Sequence, residues 1–166
     1  MGFMKEANIS FILFGGTGDL ARRKLVPAFA DLISKGIIGK DSSIIGISRK
    51  QLSDEEYRKF LLEGVAKEGE KEHIKKLKIR YFSGDFTKKE SLVGLKELID
   101  KMESSECHRI YYLSTSFNFF PNIVMELKQN ELDKKRNGST KIVFEKPFGR
   151  DLKSSEELNK DIYKVF

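Results

Sequence analysis

The stretch Ile9-Ser10-Phe11-Ile12-Leu13-Phe14-Gly15-Gly16-Thr17-Gly18-Asp19-Leu20-Ala21 decides the fold. Ile9–Phe14 reads as a buried strand with helices on both faces, because the run is apolar almost throughout instead of alternating with polar residues. A glycine loop follows at once. Beyond it, apolar residues recur at Leu25, Ala28, Phe29, Leu32 and Ile33, the i, i+3, i+4, i+7, i+8 stripe of an amphipathic helix. Gly36 stands where that helix should stop.

The same alternation continues outward. Ser43–Ile47 predicts a second strand, and Ser53 before Asp54-Glu55-Glu56 predicts an N-cap with acids in the first turn of a helix running to about Ala66. Lys67–Lys78 is expected to continue helically. Ile79–Phe82 is a third strand, and Thr87-x-x-Glu90 has the form of a capping box before a stripe at Leu92, Leu95, Leu98, Ile99 and Met102. Arg109–Leu113 and Lys141–Phe144 complete five strands, with a helix over Phe119–Leu127 carrying Pro121 in its first turn. Ser154-x-x-Glu157 reads as another capping box, opening a final helix with apolar positions Leu158, Ile162, Val165 and Phe166. Strands alternating with helices imply βαβ units and an α/β fold, a doubly wound parallel sheet with its ligand at the carboxyl ends of the strands. Residues 1–166 form one such domain.

In a Rossmann-like sheet the loop between the first strand and first helix receives a dinucleotide pyrophosphate. Glycines let the backbone approach the phosphates, the positive helix end attracts them, and a small residue at Ala21 lets helix and strand pack closely. Gly15, Gly16, Thr17, Gly18, Asp19 and Leu20 are therefore the candidate cofactor residues, against the competing reading of an ordinary strand-to-helix turn. The loop is no P-loop, since no Gly-Lys-Ser/Thr closes the required spacing. After the second strand, where an NAD site usually presents a carboxylate to the ribose, the chain reads Ile47-Ser48-Arg49-Lys50. A guanidinium suits the 2′-phosphate of NADP through charge-assisted paired hydrogen bonds, so NADP is expected to bind, and NAD more weakly. Arg22-Arg23-Lys24 places cations at the helix end where the dipole opposes them; a phosphorylated ligand or plain solvent would each account for that. Glu145-Lys146-Pro147-Phe148-Gly149 follows the fifth strand, and its Pro and Gly mark a sharp turn that would hold Lys146 toward the crevice, with a cis bond before Pro147 one way to build it.

The composition sets the frame for these motifs. The 166 residues include 31 Lys+Arg and 25 Asp+Glu, for a net charge of +6. The mean hydropathy of −0.42 is that of a soluble globular chain. Bases and acids interleave in Glu63–Lys78 and Asp85–Lys101, as on solvated helix faces, so no nucleic-acid partner is expected. No apolar run approaches the ~18 residues of a membrane span. Cys107 is the single cysteine, so no internal disulfide forms and a cytoplasmic location is expected.

Phe14–Leu25 (FGGTGDLARRKL), Ile47-Ser48-Arg49, Arg109–Leu113 and Val143–Leu152 (VFEKPFGRDL), in this order and spacing, resemble the amino-terminal coenzyme domain of glucose-6-phosphate dehydrogenase. The resemblance covers nearly the whole chain. It implies that Gly15–Gly18 cradle the coenzyme with Thr17 near its phosphates, that Arg49 takes the 2′-phosphate, and that Lys24 and Lys146 reach substrate, Lys146 lying between sugar and nicotinamide. The implied reaction is hydride transfer from C1 of D-glucose 6-phosphate to NADP, giving 6-phosphogluconolactone, the first step of the oxidative pentose phosphate pathway. It further implies a homodimer or tetramer assembled through a carboxyl-terminal α+β domain that is absent here.

Two departures from the family pattern stand out. Phe117 occupies the place of a proline beside the nicotinamide, so that wall is built differently. The segment Arg-Ile-Asp-His-Tyr-Leu-Gly-Lys, which carries the general-base histidine, lies beyond Phe166. Oxidising an alcohol requires a base for the hydroxyl proton. His73 sits in a charged helix and His108 at the amino end of a strand, so neither is expected to serve, and no Tyr-x-x-x-Lys pair is present. The isolated chain is thus expected to bind coenzyme and turn over poorly or not at all; the alternative is a catalytically inactive NADP-binding or regulatory module.

Overall fold

The computed structural model describes residues 6–88, 90–103, 106–134 and 137–166. Five parallel strands, β1 (Ile9–Phe14), β2 (Ser43–Ser48), β3 (Lys78–Ser83), β4 (His108–Leu113) and β5 (Thr140–Phe144), lie in the order β3-β2-β1-β4-β5. The chain winds outward from β1 through β2 to β3, then crosses to β4 on the other side. The order therefore reverses beside β1, and the crevice of a doubly wound sheet opens at that reversal.

Central β1 shows why its sequence is apolar throughout. Ile12 and Phe14 enter one core with Ile45, Ile47, Tyr111 and Leu113, under α4 (Leu95–Met102), α5 (Phe120–Gln129) and α6 (Leu152–Tyr163). Phe11 and Leu13 enter a second core with Ile44, Ile79 and Tyr81, under α1 (Val26–Ser34), α2 (Asp54–Glu63) and α3 (Glu68–Lys75). Alternate side chains of one strand thus fill both layers.

Local sequence signals explain most boundaries. Ser53 accepts from Glu56 N–H while the Glu56 carboxylate accepts from Ser53 N–H, the reciprocal cap expected at α2. Gly36 takes φ +66 just past α1, and Pro121 stands in the first turn of α5.

Four expectations are corrected. The first helix opens with a π-helical turn, Ala21–Leu25, and its wider winding shifts the apolar phase by about one residue. Val26 and Ala30 face the core with Phe29, while Ala28 and Leu32 face out. The helix expected through Ala66 and on through Lys67–Lys78 is broken: α2 ends at Glu63, Gly64 caps it, and α3 begins at Glu68. The Thr87/Glu90 box is not made, because Glu90 takes φ +60, outside any right-handed helix; α4 starts only after Gly94. The last helix starts earlier than the Ser154/Glu157 pattern places it: Asp151 is the N-cap and Ser154 closes the box as its third residue. In each case the apolar positions themselves stay useful, with Leu92, Leu95 and Ile99 buried, as are Leu158 and Ile162.

One buried charge ties the amino edge together. Arg109 on β4 is 3% exposed and grips Glu103 through two hydrogen bonds, Nε to Oε1 at 2.9 Å and a terminal nitrogen to Oε2 at 2.8 Å, and it also donates to the Leu132 carbonyl. Arg109→Ala would remove a buried, doubly hydrogen-bonded ion pair and the bond to the Leu132 carbonyl, so we expect a loss of about 3–5 kcal/mol in unfolding free energy; a urea midpoint unchanged from the wild type would contradict this.

Candidate functional site

The glycine loop is stitched to the neighbouring strand by a single acceptor. The Ile47 carbonyl at the end of β2 receives both the Gly15 and the Gly16 N–H, each at 2.9 Å, and the Gly18 N–H closes the loop on the Gly15 carbonyl, also at 2.9 Å. Gly15 takes φ +80, and a methyl there would stand 2.5 Å from the Ser114 carbonyl oxygen, so only glycine fits. The loop floor is tyrosine. Buried Tyr57 of α2 donates to the Gly16 carbonyl at 3.0 Å, and its ring occupies the space over Gly46 that any side chain on β2 would fill. Burial, reinforced by neighbouring Tyr81, pushes the Tyr57 phenol well above its ordinary range, so it stays a neutral donor.

A chain of hydroxyls links the loop to the exit of β2. Thr17 Oγ1 donates to Ser48 Oγ at 3.0 Å, Ser48 Oγ lies 2.6 Å from the Tyr81 hydroxyl, and Tyr81 donates to the Lys50 carbonyl at 2.8 Å. Ser48 Oγ also accepts the Lys50 N–H at 3.2 Å. Sequence reasoning missed Ser48, Tyr57 and Tyr81. Tyr81 and Tyr57 carry no local signal, since their roles depend on strand pairing across more than thirty residues.

Gly15, Thr17, Gly18, Ser48, Arg49, Lys50, Phe86, Ser114, Thr115, Ser116 and Phe119 line an open cleft of about 310 Å³ at the carboxyl ends of β1, β2 and β4. Arg49 is exposed there. After β3, the Thr87 hydroxyl and N–H hold the Asp85 carboxyl below its usual range, with Lys88 and Arg49 adding to the effect. Phe86 and Phe119 meet edge to face, centroids 6.3 Å apart, and supply the apolar wall. Phe117 packs against the core at the start of a 3-10 turn, Phe117–Phe119, so Phe119 is the aromatic that faces the cleft.

The remaining candidates are less concentrated. Asp19 pairs with Arg22 at 2.9 Å and Arg23 at 3.6 Å, and Arg22 also stands over the Phe60 ring, so two of the three cations after the loop have partners on the protein. Gly16 and Leu20 flank the cleft within the loop and the following turn, and Lys24 is exposed outside the cleft lining. Lys146 is likewise exposed outside it, at the end of β5, and its peptide bond to Pro147 is cis. Its turn is anchored through Glu145, whose carboxylate accepts from the Tyr112 hydroxyl and from Lys146 N–H. His108 begins β4 and its Nδ1 accepts the Ser139 N–H, and His73 lies on α3. Both are remote from the cleft lining. No cluster of metal-ligating residues occurs among the described residues, nor is any helix long and apolar enough to cross a membrane.

Comparison with known proteins places these features. Residues 12–166 match the family model described as glucose-6-phosphate dehydrogenase, NAD binding domain. Glucose-6-phosphate 1-dehydrogenase of Borreliella burgdorferi is 36% identical over 169 residues, covering 98% of this chain and 34% of the relative. The Rhizobium meliloti enzyme of the same name is 36% identical over 168 residues, covering 94% and 32%. Among solved structures, a glucose-6-phosphate dehydrogenase in complex with its substrate glucose-6-phosphate superposes with a TM-score of 0.81 at 28% identity, covering 100% of this chain and 36% of that one. The Mycobacterium avium enzyme gives 0.76 at 25% identity, covering 96% and 34%. The chain thus spans about a third of the length of the curated relatives it matches.

The Tyr112–Glu145 contact carries a pH signature. Burial first, and then the hydrogen bond to the Glu145 carboxylate, push the Tyr112 phenol up from 10.0 to about 12. The neutral phenol is the form the fold favours, so its contribution is complete below pH 10 and is lost as pH rises toward 12. Tyr112→Phe should unfold at lower urea than wild type at about pH 9, with the gap closing between pH 10 and 12; a gap independent of pH would contradict the assignment.

Proposed function

The chain belongs to the glucose-6-phosphate dehydrogenase family, matching its amino-terminal coenzyme domain, and from that premise we propose that it binds NADP in the cleft at the ends of β1, β2 and β4. The observation that carries this reading is the pairing of a glycine cradle with Arg49 across one cleft. The loop is closed tightly enough at Gly15 that a methyl would collide with Ser114, which suits a backbone lying against a pyrophosphate. Helix winding begins at Asp19, so its first N–H groups and positive end face the same place. Arg49 lines the same cleft as the glycine loop and supplies a cation for a 2′-phosphate, and β2 ends without a carboxylate that would compete for the ribose hydroxyls. NAD, lacking that phosphate, would bind more weakly.

In this reading the coenzyme, when bound, accepts a hydride from C1 of D-glucose 6-phosphate. The protein's own groups bind, orient and exclude water. Gly15, Gly16, Thr17, Gly18, Asp19 and Leu20 form the phosphate end, and Phe86 with Phe119 gives the nearby apolar wall. Lys146, held by the Glu145 turn, and exposed Lys24 serve the sugar phosphate's hydroxyl and phosphate groups. Neither His73 nor His108 lines the cleft, so neither is placed to take the C1 hydroxyl proton, and assembly into a homodimer or tetramer is the family reading. A cytoplasmic setting, with neither nucleic acid nor membrane as partner, fits the interleaved charges and the lone buried cysteine.

Arg49→Ala should weaken NADP binding by about tenfold or more, the scale of a lost charge-assisted phosphate contact, while changing NAD binding little. Calorimetric titration of both coenzymes against the wild type and variant reads this directly. Equal losses for the two would remove Arg49 from the 2′-phosphate.

A further inference from the structure

We propose that Tyr81 is a positioning residue for discrimination between NADP and NAD, acting through Ser48 and Lys50 to hold the turn that presents Arg49. This deepens the coenzyme reading above and rests on it. Tyr81 comes from β3, two strands away from the glycine loop, and none of its atoms needs to touch a nucleotide.

The hydroxyl bookkeeping has one solution. The Lys50 carbonyl can only accept, so the Tyr81 proton goes to it at 2.8 Å. The proton between Tyr81 and Ser48, 2.6 Å apart, must then come from Ser48. Ser48 Oγ in turn has two lone pairs, filled by the Thr17 hydroxyl at 3.0 Å and the Lys50 N–H at 3.2 Å. Every hydroxyl proton in the cluster has an acceptor, and both the N–H and the carbonyl of Lys50, the residue after Arg49, end on it. Burial raises the Tyr81 phenol above its ordinary range, so the donor persists across the working pH range. The ring is also fixed from behind by Tyr57, centroids 4.9 Å apart, whose own hydroxyl holds the Gly16 carbonyl.

The consequence is asymmetric between coenzymes. Pyrophosphate contacts at Gly15–Gly18 are common to both and are held chiefly by the Ile47 carbonyl, which Tyr81 does not touch. In this reading the Arg49-Lys50 turn serves the 2′-phosphate, the group that NAD lacks. Removing the Tyr81 hydroxyl leaves the Lys50 carbonyl without its donor and frees the Ser48 proton, so the turn loses its pinned geometry, while the loop backbone keeps its bonds to the Ile47 carbonyl and Thr17 keeps Ser48 as its acceptor.

The test is Tyr81→Phe in the full 166-residue chain, titrated calorimetrically with NADP and with NAD, beside a thermal melt without ligand. The expected result is an NADP affinity lower by about five- to tenfold with NAD changed less than about twofold. Equal losses for both coenzymes, or a lower melting temperature with the NADP/NAD ratio intact, would make Tyr81 merely structural and overturn the proposal. Ser48→Ala provides a second variant. It should cost NADP at least as much, and an unchanged NADP affinity there would also overturn the proposal. A wild-type chain that shows no preference for NADP sinks the 2′-phosphate reading itself and this proposal with it, whereas a wild-type preference that survives Tyr81→Phe sinks this proposal alone.

Discussion

The Ile47 carbonyl receiving both the Gly15 and Gly16 N–H groups is the constraint on which the rest of the site depends. It joins two elements that are distant in sequence: the first residues of the loop after β1 and the last residues of β2. Because β1 and β2 pair in parallel with Phe14 beside Ile47, their carboxyl ends arrive level, and one oxygen can hold two successive amides. A one-residue slip would move that oxygen and turn the slipped strand's core residues to the opposite face. The two apolar cores therefore fix the register, the register fixes the acceptor, and the acceptor fixes the shape of the loop. Tyr57 braces the same loop from beneath because Gly46 leaves room for its ring.

The charge of +6 acquires a distribution through this geometry. Arg109 is spent on Glu103 at the amino edge, Arg22 and Arg23 face Asp19, and Arg58 donates to the carbonyls of Ile74, Lys75 and Leu77. Arg49 and Lys50 stand instead in the wall of an open cleft whose other sides are glycine backbone, hydroxyls and two aromatic rings. A cation so placed is suited to a phosphate, whereas one paired on the protein contributes to the fold or to solubility.

Much of this was legible in the order of residues. Continuous apolarity at Ile9–Phe14, the glycines that follow and the cationic exit of the second strand marked a strand buried on both faces, the loop and the candidate Arg49, because each is written in a run of adjacent residues. The stops and starts of helices were read less well where a cap depends on backbone conformation: Glu90 cannot enter a helix at φ +60, and Asp151 reaches Ser154 before the Ser154/Glu157 pattern begins. The π-helical turn at Ala21–Leu25 rotated an apolar stripe that simple periodicity placed one residue away. Ser48, Tyr57 and Tyr81 were invisible, since a hydroxyl cluster assembled from the first three strands and α2 leaves no pattern along the chain. Membership of the glucose-6-phosphate dehydrogenase family, suggested by the spacing of the GGTGDLA and EKPFG segments, agrees with the match over residues 12–166.

Recognition of a 2′-phosphate by this cleft, as proposed above, can be read without the nicotinamide half of the coenzyme. The direct measurement compares the binding of 2′-phosphorylated ADP-ribose with that of ADP-ribose to the 166-residue chain, at low and moderate salt. The phosphorylated compound is expected to bind at least about tenfold more tightly, with an advantage that shrinks as salt screens the Arg49 contact. Equal affinities at both salt concentrations would contradict it.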